Sequence, residues 1–367
     1  AGDEPRDIYR FTRQNWFDAV AEECLAVRNR VGIMDASAFA KYTVSGPNAE
    51  AWLDGMVANT LPKRPGRARL VHMCDHAGGI VAEFTALRRA DGSFCLVGAS
   101  AAETVHLRWM RMHGTDGVRI DPVTERYGVI ALQGPRAPAV LGRLADTDLS
   151  GEAFPYLTAR SLDVAGIPCE AMRVSFVGEQ GWELYVAPEH LGALWSVLME
   201  AGRSDGIRAF GSRALDWLRL EVGYARYGSE INTEVTPFDV GLGWAVKLGK
   251  GDFLGRAALE RAKDGEGAHP RLCLTRIRGR HLAPDALGPV GQETVLDTEG
   301  RPCGYVTSAG YSPMTGDFLA MVLLRRDSLG ATGLSVDLQG SLAALEPLEQ
   351  PPREVLSATR GAVAVSA

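Results

Sequence analysis

Residues 79–99 constrain this chain most. Two apolar runs, GIVAEFTAL (79–87) and SFCLVGA (93–99), flank RRADG, whose charges and Asp-Gly step are the signal of a β-hairpin. A strand that turns straight back pairs antiparallel and needs no crossover helix. A second hairpin is predicted from 160–165 and 169–176, closed by Gly166-Ile167-Pro168. YGVIALQG (127–134) and GWELYVA (181–187) read as further strands, and KYTVS (41–45) as a strand ending at Gly46-Pro47. Helical spacing of apolar residues appears at 16–30, 48–58, 100–113, 137–144, 189–202 and 209–223. Hairpins interspersed with helices define an α+β fold rather than a βαβ one. No G-x-G-x-x-G follows a strand, so no nucleotide-binding or flavin domain is expected within the chain.

A polar break, KDGEGAHP (263–270), separates this region from short β-runs, RLCLTRIRG, PCGYVTSAGY and LAMVLLRR, which predict a small all-β domain. At 367 residues the chain is too long for one core. The expected division is 1–145 and 146–262 as two intertwined α+β domains, 271–349 as the β domain, and 350–367 as a tail of little periodicity, partly disordered.

A net charge of -6 argues against a nucleic-acid partner, which needs a basic face. No apolar run reaches the ~20 residues of a membrane span, and no secretory signal is visible. The six cysteines include no C-x-x-C pair, which points to free thiols in a reducing compartment, expected to be the cytoplasm, and to no metal site. The chain starts Ala1-Gly2-Asp3 without methionine, as expected of a protein that is processed, trimmed or cut from something longer.

With no Ser/His/Asp signature, P-loop or nucleophilic cysteine setting, the chemistry left is proton transfer combined with positioning. Five carboxylates stand in distinctive settings: Glu83 in an apolar strand, Glu179 and Glu183 at a glycine turn entering a strand, and Glu221 and Glu230 on a helix and its exit. A carboxylate is costly to bury unpaired. Glu83 therefore fits either a solvated strand edge or a carboxylate held for base chemistry or for an amidine-like heterocycle. Glu183 fits either a surface ion pair or a site where Gly178 and Gly181 let a ligand approach. Tyr227 and Trp244 fit either core packing or an aromatic slot for a flat ring.

Taken in order, FTRQNWFDAVAEECLAVRNRVGIMDASAFAKYTVSGPNAEAWL, GGIVAEFTAL, ALQGPRAPAVL, VGEQGWELYV, ALDWLRLEVGYARYGSEI, TPFDVGLGWAVKLGKGDFLGR and GYVTSAGYSP resemble the aminomethyltransferase family. The similarity is strongest to the folate-binding half of dimethylglycine and sarcosine dehydrogenases, and extends to the glycine-cleavage T-protein. This resemblance implies a three-domain ring, or cloverleaf, with a barrel-like C-terminal domain and tetrahydrofolate in a central channel. It implies that Glu83 is the catalytic acid beside the folate nitrogen, and that Glu183 grips the pterin edge with Val97, Tyr185, Tyr227 and Trp244 around the ring. Ala82 stands where the T-protein has the first of two acids, as in the dehydrogenase-type relatives. Cys95 and Leu215 replace a tyrosine and an arginine of the T-protein pattern.

The expected function is tetrahydrofolate-dependent one-carbon transfer: a methylene or formaldehyde unit from an oxidised N-methyl amine gives 5,10-methylenetetrahydrofolate. The partners expected are a small methylated substrate and a flavin-dependent oxidase, present as a separate subunit or a missing N-terminal domain. Direct demethylation of a sulfonium, methoxy or quaternary amine donor onto tetrahydrofolate is the alternative enzymatic reading. A non-enzymatic folate-binding role is the other; its marker cysteine is absent from KGDFLGR (250–256).

Overall fold

The computed structural model describes residues 6–8, 12–265, 269–278 and 288–352. The tail expected from residue 350 lies mostly outside the described residues. The elements run α1 (Phe17–Asn29), β1 (Gly32–Asp35), β2 (Ala40–Ser45), α2 (Ala49–Met56), β3 (Ala68–Cys74), β4 (Ile80–Arg88), β5 (Phe94–Gly98), α3 (Glu103–Met112), β6 (Arg119–Pro122), β7 (Gly128–Gln133) and α4 (Ala137–Gly142). The chain continues through β8 (Ala159–Val164), β9 (Ile167–Met172), β10 (Gly181–Val186), α5 (Leu191–Ala201), β11 (Arg208–Ala209), α6 (Ser212–Glu221) and α7 (Arg256–Lys263). It ends with β12 (Arg271–Arg278), β13 (Thr294–Leu296), β14 (Pro302–Ser312), β15 (Asp317–Leu324), β16 (Ser335–Leu338) and β17 (Ser341–Leu348).

These elements form three units. A five-stranded sheet has the order β3-β4-β5-β2-β6, a six-stranded sheet the order β11-β1-β7-β10-β9-β8, and β12–β17 close into a barrel. The α+β class, the cloverleaf of three units and the C-terminal barrel expected from the sequence are present. The hairpin read from RRADG is β4–β5, with Phe84 opposite Gly98 and Arg88 opposite Phe94.

The second hairpin turns earlier than expected. Val164 pairs with Ile167, so Ala165 and Gly166 alone make the turn, both at positive φ. Ile167 and Pro168 belong to the strand, where Pro168 costs no bond if its missing N–H faces outward. The helix expected over 209–223 begins only at Ser212, because Arg208 and Ala209 pair with Gly32 and Ile33 instead.

Period-two alternation gives each sheet two faces. In the five-stranded sheet, Tyr42, Val44, Val71, Met73, Ala82, Phe84, Phe94 and Leu96 point into one core together with α2 and Met110 of α3. In the six-stranded sheet, Ile130, Leu132, Trp182 and Leu184 face another core with α4 and α5. The opposite faces meet each other. Leu87, Cys95 and Val97 from the first sheet pack with Val129, Ala131, Met172 and Tyr185 from the second. Of the five candidate acids, Glu83 and Glu183 lie on the faces that meet at this seam.

Candidate functional site

Three of the five carboxylates singled out by the sequence are consumed by arginines. Arg28, fully buried, donates to Glu221 at 2.7 Å, to Glu179 at 2.9 Å and to the carbonyls of Val177 and Leu218. Burial pushes Glu179 up to about 7 against the pull of the Arg28 charge. Arg219, also buried, donates to Glu230 at 2.9 Å, and Glu230 further accepts from Thr307 at 2.8 Å and from Ser308 of the barrel. Ser312 of the barrel donates to Glu221 at 2.7 Å. These are buried ionic clamps that tie α1, α6 and the barrel together.

Glu183 and Glu83 are different, and neither meets an arginine in the hydrogen bonds and ion pairs of the described residues. Alternation puts Glu183 and Tyr185 of β10 on the seam face, opposite Trp182 and Leu184. The Tyr185 hydroxyl donates to Glu183 Oε2 at 2.5 Å. Burial raises the Glu183 carboxyl from its ordinary value; the Tyr185 hydrogen bond and the positive charge of Lys41 partly offset this. Tyr185 itself is pushed well up by burial and by the adjoining carboxylate.

Lys41 of β2, with no exposed surface, donates its Nζ to the carbonyls of Ser37 at 2.9 Å and Phe39 at 2.7 Å. Burial lowers its pKa and the Glu183 charge raises it again. Val97 of β5 pairs with Lys41 and lies half-buried among the seam residues. The seam therefore presents one carboxylate with a single hydrogen-bond donor, a buried ammonium nearby, and an apolar lining.

Glu83 shares that face of the five-stranded sheet, because Ala82 and Phe84 occupy the other. Directly opposite on β3 is His72, whose Nε2 lies 2.8 Å from Glu83 Oε2. The His72 side chain is fully buried and that of Glu83 is 17% exposed. The sequence reading missed both His72 and Lys41. Their signal was parity: Leu70, His72 and Cys74 alternate with the core residues Val71 and Met73, as Lys41 alternates with Ala40 and Tyr42.

Two glycines fix where the acids sit. A Cβ on Gly79, at the foot of β4, would lie 2.1 Å from the Thr233 carbonyl oxygen, and one on Gly181, the first residue of β10, 2.2 Å from that of Leu132. Gly181 thus admits the neighbouring strand rather than a ligand, which corrects the expectation for that glycine. Gly178 likewise faces Val222.

The aromatic candidates lie apart from the seam. Tyr227 packs edge-on against His106 of α3 at 4.8 Å between centroids, and His106 against Phe84 at 5.1 Å. Burial lowers His106 to about 4, and neither of its ring nitrogens has a hydrogen bond of normal geometry, although the Val81 backbone pulls weakly the other way. Trp244 is 38% exposed, and its neighbours Gly243 and Val246 line a cavity of about 500 Å³ together with Thr60, Phe238 and Lys247. None of the seam residues lines that cavity.

With this geometry in hand, comparison with known proteins is informative. Residues 5–250 match the family model described as the GCVT N-terminal domain, and residues 276–352 that of the glycine cleavage T-protein C-terminal barrel domain. The chain is similar to the aminomethyltransferase of Streptomyces coelicolor, 36% identical over 90% of this chain and 88% of that protein. It is also 38% identical to the mitochondrial dimethylglycine dehydrogenase of Mus musculus, over 82% of this chain and 34% of the relative. The chain thus spans about a third of the length of the dehydrogenases it matches. The crystal structure of the glycine cleavage system aminomethyltransferase T from Bartonella henselae superimposes with a TM-score of 0.78 at 25% identity, covering 90% of this chain and 89% of that one.

The chain belongs to the aminomethyltransferase family, whose members are folate-dependent transferases that bind tetrahydrofolate. The expected class of enzyme, transferase type and cofactor therefore stand. All six cysteines are free, and no helix among the described residues is long and apolar enough to cross a membrane.

Proposed function

We propose that this chain moves a one-carbon unit at the methylene or formaldehyde level, taken from an oxidised N-methyl amine, onto tetrahydrofolate, giving 5,10-methylenetetrahydrofolate. The observation that carries this reading is the distribution of carboxylates. Glu179, Glu221 and Glu230 are each paired with a buried arginine, Arg28 or Arg219, whereas Glu83 and Glu183 lie on the seam with no arginine partner among the described residues.

Glu183 fits the aminopyrimidine edge of a pterin. An ionised carboxylate offers about four acceptor sites, and Tyr185 fills one. Two parallel N–H donors of a flat ring would complete the set, with Val97 against the ring face and Lys41 holding the local charge balance. Tetrahydrofolate supplies the two nitrogens that take up the carbon unit. Glu83, on the same sheet face as Val97, is the residue assigned to hold or accept a proton there, or to stabilise cationic character on the incoming carbon. Tyr227 and Trp244 lie apart from the seam, and their proposed contact with the folate rests on the family resemblance alone.

The similarity to dimethylglycine dehydrogenase supports an N-methyl amine as the ultimate donor, with a flavin-dependent oxidase as the partner that generates the one-carbon unit. The test is product analysis by mass spectrometry with tetrahydrofolate and a panel of donors. Formaldehyde released from an oxidised N-methyl amine should yield the methylene product faster than the uncatalysed condensation. Exclusive formation of the 5-methyl product from a sulfonium, methoxy or quaternary amine donor would replace this reading with direct demethylation.

A further inference from the structure

The partner of Glu83 has no part in the reading above. We infer that His72 is a positioning residue that fixes the proton-handling carboxylate of Glu83 through one ring nitrogen. This inference rests on the proposed role of Glu83 and deepens it.

The geometry is specific. His72 and Glu83 are directly opposed on β3 and β4, one residue before the register shift between Met73 and Cys74. Nε2 and Oε2 are 2.8 Å apart, and no hydrogen bond among the described residues reaches Oε1 of Glu83. The imidazole has no exposed surface, and its buried Nδ1 has no hydrogen-bond partner among the described residues.

Nδ1 has no acceptor among the described residues, so the tautomer with its hydrogen on Nε2 is the one that satisfies the contact with Glu83. In that tautomer Nε2 donates to Oε2, and Oε1 is left toward the partly exposed side.

Nδ1 also bears on purpose. A side chain serving packing alone would do better without a buried unpaired nitrogen. A buried ring with two rotatable bonds instead limits the swing of a carboxylate that is 17% exposed. Catalytic groups work when neighbours hold them within about half an ångström of the productive position. His72 acts through Glu83; it is not itself assigned contact with the reacting atoms.

Three variants test this: His72→Leu, His72→Gln and Glu83→Gln, together with the double variant His72→Leu/Glu83→Gln. Turnover is read with formaldehyde and tetrahydrofolate after subtraction of the uncatalysed rate. Losing the donor in His72→Leu should lower kcat about tenfold or more, short of the roughly 10²–10⁴-fold of losing an acid–base group outright. KM for tetrahydrofolate should stay within about twofold. His72→Gln keeps an N–H at nearly the Nε2 position and should recover most of kcat. The double variant should be no slower than Glu83→Gln, because a residue acting only through Glu83 has nothing left to position. In ¹⁵N-histidine NMR of the wild type, His72 should carry a hydrogen on Nε2.

Wild-type kcat in His72→Leu beside an impaired Glu83→Gln would overturn the positioning role and leave the role of Glu83 standing. Wild-type kcat in both would remove the role of Glu83 itself. Should His72→Leu fail to fold, a ring protonated on Nδ1 alone in the NMR spectrum, or a His72→Gln variant as slow as Glu83→Gln, overturns the inference equally.

Discussion

Tyr185 donates its hydroxyl hydrogen to Oε2 of Glu183 over 2.5 Å, from a position two residues further along the same strand. Strand geometry brings both side chains to one face, so this single bond aims the carboxylate into the seam between the two sheets. Under the proposed function, removing Glu183 removes the acceptor for the pterin edge. Glu183→Ala should weaken tetrahydrofolate binding by roughly 1.5–3 kcal/mol, the scale of a hydrogen bond to a charged group. Isothermal calorimetry giving the wild-type affinity for this variant would withdraw Glu183 from the site.

The Arg28 clamp predicts a large effect on stability. Arg28→Met leaves Glu179 and Glu221 buried without their counter-charge. Breaking a buried ion pair from one side costs about 3–5 kcal/mol. Urea denaturation should report a loss of that order, and a change below about 1 kcal/mol would show that the clamp is dispensable.

His106 predicts a pH dependence. Its folded-state pKa is about 4 against an ordinary 6.5, through burial between Phe84 and Tyr227. The unfolded chain takes up the proton near 6.5, and the folded chain resists until about 4. The contribution to stability is therefore complete above 6.5 and is lost as pH falls from 6.5 to 4, on the order of 3 kcal/mol in total. His106→Phe should flatten that part of the stability profile. A thermal midpoint with the same slope between pH 6.5 and 4 in both proteins would show that another group is responsible.

Elements with local signals were readable in the sequence. The β4–β5 hairpin announces itself by Asp91-Gly92, and β10 by its alternation from Gly181 to Val186. β3 escaped because it is an edge strand whose seam face carries His72 between the core residues Val71 and Met73, so a polar residue interrupts an otherwise apolar run. β1 and β11 escaped because they are short and held by pairings between distant residues, such as Gly32 with Gln133 and with Arg208.

The site divides the same way. Glu83 and Glu183 stood out as lone acids in apolar strands, a local property. Their partners did not, because which residue faces Glu83 depends on the β3–β4 register, and the approach of Lys41 to Glu183 depends on how two sheets stack. Arg28 likewise reaches Glu179 and Glu221 from more than a hundred residues away.

The most direct test of the central claim, that the seam carries folate-dependent carbon transfer with Glu83 at its chemical end, is the turnover of Glu83→Gln beside its tetrahydrofolate affinity. The substitution keeps the side chain's size and hydrogen bonding and removes its charge. Turnover should fall by about 10²–10⁴-fold, the usual worth of a placed acid–base group, while folate affinity changes little. A glutamine variant that transfers carbon at the wild-type rate would contradict the account and leave Glu83 as a strand residue paired with His72.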